Sequence, residues 1–312
     1  MLGFLIVLLS SVFFCFQNVI VRVLFNQQTV LGVFETGGFV TPNLHHSFLL
    51  MFMRMLLGVP LMASIAPRLY GPMWRDVAQL VQPEQRFLLL QSVGGGGLMF
   101  LYLALLYISI GLIPTSIALT LFFTYPVFTA LFSWKWFGNR PTRFRWSIMA
   151  AVLLGSLLTM PVPNTTAGDY NWTGVITGVV SGVAYALYTV VAQKSFEKLH
   201  PVPFSWISFT TTLVLSGLCL LLWPGGQDQL PWLPLWIGGL LSALMTFSGH
   251  ILNNLGIRRI GATTAAMIGA SNPALTAVLA WLAIQETLTS IQLVGVGVVT
   301  LSVGLLSLKR SQ

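Results

Sequence analysis

The sequence predicts an all-α membrane fold of ten transmembrane helices, arranged as two inverted five-helix repeats. Three observations carry this: an apolar composition almost free of charge, a one-sided distribution of basic residues, and an internal repeat. Charged residues make up 7% of the 312 and apolar residues 55%, with a mean hydropathy of +0.84. A soluble domain is about 25% charged, so this chain cannot be wrapped in a water-facing surface. Bilayers admit helices or closed barrels, because an unpaired backbone group in lipid costs several kcal/mol. Barrel strands alternate apolar and polar residues with period two. The apolar runs here are long and unbroken, which selects helices.

A spanning helix needs ~20 mostly apolar residues. The runs that qualify lie at about 2–25, 46–66, 87–109, 112–134, 146–162, 174–193, 203–223, 233–255, 261–283 and 290–308. The first lacks a basic start and is too long for a signal-peptide core, so it reads as a retained helix. Prolines and glycines punctuate the connections, as at Pro67, Pro72 and Pro83, Pro161 to Gly168, and Pro224 to Pro231. Only Gly111 to Pro114 separates the third and fourth runs. The longest loop, about 26–45, is uncharged except for Glu35.

With the N-terminus in the cytoplasm, the inner loops hold Arg68, Arg75, Arg86, Lys135, Arg140, Arg143, Arg145, Lys194, Lys198, Arg258, Arg259, Lys309 and Arg310, which is 13 of the 15 Lys and Arg residues. Outer segments carry Arg22, Glu35, Asp169, Asp228 and Glu286. This is the positive-inside asymmetry. It predicts both termini in the cytoplasm, in a plasma (inner) membrane. It also explains the net charge of +8 without nucleic acid as a partner. Cys15 and Cys219 lie inside apolar runs and imply neither a disulfide framework nor a metal site. Trp134, Trp136, Trp146, Trp172, Trp223, Trp232 and Trp236 fall at span ends, as interfacial anchors do.

A shift of 147 residues lays LTLFFTYPVFTALFSWKWFGNRP on AAMIGASNPALTAVLAWLAIQET, with Pro126 on Pro273, Thr129 on Thr276 and Trp134 on Trp281. A shift of 171 lays GFLIVLLSSVFFCFQNVIV on GVITGVVSGVAYALYTVVA, with Gly3 on Gly174 and Ser10 on Ser181. The long loop after the first helix absorbs the difference. Residues 1–162 and 163–312 are thus expected to be equivalent five-helix units. Five is odd, so the units must have opposite orientations, an arrangement that puts a substrate site near the midplane between them. Chance similarity between apolar segments is the competing explanation.

The stretches ALLYISIGLIPTSIALTLFFTYPVFTALFSWKWFG and NLGIRRIGATTAAMIGASNPALTAVLAWLAIQETLTSIQLVGVGVVTLSVGLL resemble the paired repeats of EamA-type members of the drug/metabolite transporter superfamily. FMRMLLG in the second helix resembles that family's early arginine motif. The resemblance implies ten helices, cytoplasmic termini, and export or exchange of small metabolites. One position departs from it. The glutamate expected after the fourth helix is Asn139, whereas the second repeat keeps Glu286.

Arg54 stands near the middle of an apolar span, where a charge costs ~3 kcal/mol or more and must face a cavity or partner. No Asp or Glu lies in any predicted span. Arg54 therefore reads either as a cationic anchor for a carboxylate or phosphate on a substrate, or as a structural arginine bonding backbone carbonyls. His250 is the one candidate for proton coupling, with a neutral, hydrogen-bonded histidine as the alternative. Gln17, Asn18, Thr124, Tyr125, Tyr185, Tyr188, Thr189, Asn253, Asn254, Ser271 and Asn272 form a polar set able to face a shared pocket. Each could equally tie helices together. Pro126 and Pro273 are expected to kink their helices; paired interruptions point to a binding region, and a static kink that suits packing is the alternative. Gly94 to Gly97 suit close helix approach or a hinge.

The expected function is a secondary transporter of small organic metabolites such as amino acids, working by alternating access within the lipid bilayer, with no cofactor and no metal. The alternatives are a non-transporting receptor or assembly factor, or an intramembrane enzyme. The latter would need a His, Asp, Glu or Ser–Lys cluster inside the spans.

Overall fold

The computed structural model describes residues 2–41, 43–113, 115–138, 140–159, 171–222, 230–284 and 289–308. Asn139, Glu286, Asp169, Trp223, Asp228, Lys309 and Arg310 lie outside the described residues.

The long apolar runs form α1 (Leu2–Phe25), α2 (Leu44–Leu69), α4 (Arg86–Leu112), α7 (Arg143–Thr159), α8 (Trp172–Ser195), α9 (Pro201–Leu222), α10 (Trp232–Ile260) and α13 (Ser290–Leu308). A short α3 (Met73–Leu80) follows α2. The fourth and ninth runs are each divided in two, as α5 (Thr115–Phe122) with α6 (Tyr125–Phe137), and α11 (Ala262–Gly269) with α12 (Asn272–Ile284). Eight helical segments are long and apolar enough to cross a membrane among the described residues, with α5–α6 and α11–α12 each counted as one.

The map of expected spans needs three corrections. The fourth run does not start at 112: α4 continues to Leu112, and Ile113 caps it with its N–H on the Ser109 carbonyl. The loop of about 26–45 contains a β-hairpin, β1 (Gln27–Val30) paired with β2 (Phe34–Gly37). Its turn takes positive φ at Leu31 (53°) and Gly32 (72°), as the tight turns that match strand twist require. The hairpin is fastened by backbone bonds from Leu31 N–H to Ala283 O (2.8 Å) and from Phe39 N–H to Leu24 O (2.9 Å). Third, the stretch after Pro72 coils into α3, whose Asp76 accepts a bond from Tyr70 Oη at 2.8 Å.

Both divided helices break for the same reason. Pro126 and Pro273 fall in the first turns of α6 and α12, where a missing N–H costs nothing. Further back the proline ring would clash with the carbonyl four residues earlier and leave it without its helical N–H partner, so the preceding turn cannot continue as regular α-helix. The chain responds with a tightened turn, Thr124 N–H on Leu121 O (3.3 Å) in one case and Ser271 N–H on Ile268 O (3.0 Å) in the other.

Small residues let the helices approach. Along α4 and α8, a Cβ at Gly174 would lie 2.7 Å from Ile113 Cγ2. Along α1 and α10, a Cβ at Gly3 would collide with the same atom of Ile260. α7 packs on α13 through Gly155 against Val299, and α2 packs on α9. Gly95 and Gly96 abut α9, while Gly94 and Gly97 have nothing within 4 Å of a would-be Cβ. The glycine run therefore serves close approach at two of its four positions.

Basic residues gather at one end of the bundle. Gly3 touches Arg259 there, and Arg258 lies close enough to Tyr70 and His200 to influence both. The Tyr70 and His200 rings stack at 3.9 Å and 4°, which joins the end of α2 to the α8–α9 turn. His200 Nδ1 accepts the Val202 N–H at 3.3 Å. Burial, and then the Arg258 charge, lower the His200 pKa from 6.5 to about 4, against the opposing pull of Asp76. A depressed histidine pKa stabilises the fold above the unfolded pKa of about 6.5, and that contribution is lost as pH falls toward 4. Acidification from pH 7.5 to 4.5 is expected to cost the wild type roughly 2 °C more in melting temperature than His200→Gln. Thermal-shift curves at the two pH values check this, and equal drops would count against it.

Candidate functional site

The buried polar groups form two adjoining clusters in the middle of the bundle. The first centres on Arg54, which is 7% exposed. The Gln17 amide satisfies both of its neighbours when its oxygen accepts Arg54 Nη1 at 2.8 Å and its nitrogen donates to Ser242 Oγ (2.8 Å) and Ser242 O (2.9 Å). Arg54 Nε has no hydrogen-bond partner. No carboxylate pairs with this guanidinium among the described residues. The arginine is thus only partly satisfied, an expensive condition for a buried cation.

The second cluster surrounds a narrow cavity between α1, α6, α8, α10 and α11. Ser10, Ser11 and Phe14 line it from α1, Tyr125 from α6, Tyr185 and Thr189 from α8, and Asn253 and Ile257 from α10. Gly269 and Asn272, at the break between α11 and α12, close it. Its free volume of about 10 Å³ is that of about one water. Tyr125 Oη donates to Ala266 O at 3.3 Å, and Asn272 Oδ1 has no partner. Rings crowd one wall: Tyr185 stands edge-on to Tyr125 (4.6 Å) and Tyr102 (4.8 Å), and Phe122 lies 5.5 Å from both Tyr125 and Tyr185.

Of the residues expected at a pocket, Tyr125, Tyr185, Thr189, Asn253 and Asn272 line this cavity, and Gln17 joins Arg54. His250 lies beside it, boxed by Phe14 (4.9 Å), Phe209 (5.5 Å) and Tyr188 (6.4 Å), with Nδ1 unpaired. The remaining members of the set are engaged elsewhere. Asn18 is exposed and donates to Thr276 Oγ1 of α12 at 3.2 Å. Thr124 and Ser271 donate to Leu121 O (2.6 Å) and Ile268 O (2.6 Å), each finishing its broken helix. Asn254 donates to Tyr188 Oη (3.1 Å) and Ser205 Oγ (2.8 Å), tying α8, α9 and α10 together. Removing that amide leaves the buried Tyr188 hydroxyl without its partner and takes a bond from Ser205 Oγ, so Asn254→Ala is expected to cost about 1–3 kcal/mol. Unfolding in a denaturant series measures the loss.

Sequence reasoning missed Ser10, Ser11, Phe14, Tyr102, Ser242 and Gly269. A weak signal existed in the small pair Ser10–Ser11 on α1. Another was Gly269, two residues before the expected interruption. Tyr102 and Ser242 carry no local signal.

A buried polar centre ringed by long apolar helices defines an α-helical integral membrane protein. The comparisons carry this further. The profile of the EamA-like transporter family matches residues 172–308, spanning α8 to α13. The uncharacterized transporter sll1319 of Synechocystis sp. is 57% identical over 310 residues, covering 99% of this chain and 94% of its own. The threonine/homoserine exporter RhtA of Escherichia coli K12 is 29% identical over 217 residues, 69% of each chain. RhtA of Salmonella typhimurium is 28% identical over 211 residues, 67% of each. A solved crystal structure, 18% identical, superposes with a TM-score of 0.72 over 99% of this chain and 96% of that chain, which shows a shared fold. The chain belongs to the EamA-like transporter family, and it is a membrane transporter.

Proposed function

We propose that the protein is a secondary exporter of small amino-acid-like metabolites, and that it works by alternating access between residues 1–162 and 163–312 as two inverted five-helix repeats. The observation that carries the substrate reading is Arg54, a buried guanidinium with one nitrogen unpaired. A substrate carboxylate would complete its hydrogen bonds, and fork-to-fork pairing is the strongest arrangement such groups make. The tyrosine wall of Tyr102, Tyr125 and Tyr185 offers π faces to an ammonium group. The E. coli and Salmonella relatives are named threonine/homoserine exporters, which makes these two amino acids the first to test.

Equivalent contacts support the repeat. Under the offsets of 171 and 147, Gly3 against Ile260 corresponds to Gly174 against Ile113. Likewise the Asn18–Thr276 bond corresponds to the Thr189–Thr129 contact at 3.4 Å. The tightened turn at Thr124 corresponds to the one at Ser271. In this reading α7 and α13 complete ten spans, both termini are cytoplasmic, and the breaks at Pro126 and Pro273 are where the halves flex. The cavity, with room for about one water, then represents an occluded state.

The test is flux from proteoliposomes loaded with radiolabelled threonine, homoserine or other small amino acids. Release above protein-free vesicles for at least one of them is the expected result. Silence across the panel, with the protein folded and correctly inserted, would overturn the substrate class. Accelerated exchange of any other solute would keep the transporter reading and redirect it.

A further inference from the structure

The α6–α7 turn carries a concentration of positive charge away from the buried polar clusters. Lys135, Arg140, Arg143 and Arg145 fall within eleven residues, KWFGNRPTRFR, that contain no Asp or Glu. All four are exposed. Elsewhere at this end of the bundle, acids accompany the bases. Lys194 pairs with Glu197 at 2.7 Å, Asp76 shares the Tyr70–His200–Arg258 cluster, and Glu84 lies two residues from Arg86. The four cations of the α6–α7 turn have no carboxylate partner among the described residues.

Their surroundings are built for a lipid. The end of α6 presents Leu131, Trp134 and Lys135 along one stripe, at the three- and four-residue spacing that shares a helix face. Leu131 is 39% exposed and Trp134 42%. The stripe thus passes from apolar to aromatic to cationic, matching acyl chain, interface and headgroup. Gly138 ends α6 in the left-handed region, φ 69°, with its N–H on Trp134 O. That reversal brings Arg140 back over the Trp134 ring, at 5.3 Å from its centroid, and holds the guanidinium at the depth of the tryptophan. Trp136, 51% exposed, flanks Lys135.

We propose that the α6–α7 turn is a binding site for a lipid with an anionic phosphate headgroup. Lys135, Arg140, Arg143 and Arg145 take the phosphate, Trp134 and Trp136 lie at the glycerol level, and Leu131 lies against the acyl chain. Cations near a membrane surface each add measurably to anionic-lipid affinity. Planar guanidinium groups suit phosphate better than ammonium groups do.

Native mass spectrometry of the purified full chain, titrated with phosphatidylglycerol and separately with phosphatidylcholine, tests this. The wild type is expected to retain phosphatidylglycerol at least about tenfold more tightly than phosphatidylcholine. The fourfold variant Lys135→Gln, Arg140→Gln, Arg143→Gln, Arg145→Gln should lose that preference. Because all four side chains are exposed, its melting temperature should stay near that of the wild type. Lys194→Gln with Lys198→Gln, on the neighbouring loop, should keep the preference. Glycerol 3-phosphate and inorganic phosphate should not displace the lipid. No preference in the wild type, a preference surviving in the fourfold variant, an equal loss in the Lys194/Lys198 control, or full displacement by a free phosphate would each overturn the assignment.

Discussion

Arg54→Gln is expected to abolish substrate-dependent flux, by on the order of 100-fold, in a protein that still folds. Arg54 Nε is unpaired, and no carboxylate pairs with the guanidinium among the described residues. If the guanidinium receives a substrate carboxylate, removing it deletes a charge-assisted pair formed in a dry environment, worth several kcal/mol. The bonds between Gln17 and Ser242 that join α1 to α10 do not involve residue 54, so they survive the substitution. Arg54→Lys keeps the charge but loses the planar fork, and intermediate flux is expected. If Arg54 instead only braces helices, Arg54→Gln would melt earlier and its flux per folded molecule would match the wild type. Size-exclusion profiles and thermal shift beside the flux assay separate these outcomes.

The second large effect is a change of sign between adjacent residues of α4. A Cβ at Gly96 would lie 2.6 Å from Thr211 Cβ and 2.9 Å from both Cα and O of Ser208. Backbone cannot swing aside as a flexible side-chain end can, so α9 must move. Gly96→Ala is expected to cost about 2–3 kcal/mol, or several degrees of melting temperature. Gly95→Ala meets the Phe204 ring at 2.7 Å and should also destabilise, though a ring can shift further than backbone. Gly94→Ala and Gly97→Ala meet nothing within 4 Å. There the entropy removed from the unfolded chain should leave the protein unchanged or more stable by about 0.5–1 kcal/mol. Four single variants in one thermal-shift experiment test the packing of α4 on α9. Equal effects at Gly96 and Gly97 would refute it.

Legibility in the sequence followed the range of the interaction. Arg54 stood out because a lone charge in an apolar run is costly wherever it ends up. Pro126 and Pro273 stood out because proline acts on its own helix, and both helices do break at these points. The hairpin at residues 27–37 was not legible. Its turn places a leucine at positive φ, where glycine or asparagine would have signalled it, and its anchor is the backbone of Ala283. The polar set divided in a way its composition did not foretell. Asn253 and Asn254 are neighbours, yet one lines the cavity and the other ties three helices together. Successive residues on a helix point about 100° apart, and only the packing decides which direction is the interior.

By itself the sequence determined that this chain lives in a bilayer as helices, that its basic residues segregate, that two helices are interrupted, and that one buried arginine needs an explanation. Each of these follows from local chemistry: hydrocarbon content, charge in lipid, a missing N–H. Only the tertiary structure decided that Gln17 and Ser242 meet Arg54, that Gly95 and Gly96 rather than all four glycines form the contact, and that Tyr102 completes an aromatic wall. Those facts depend on which faces of helices far apart in sequence come together. In a membrane, where every face is apolar, hydrophobic patterning does not encode that choice, and small residues, buried polar bonds and shape decide it.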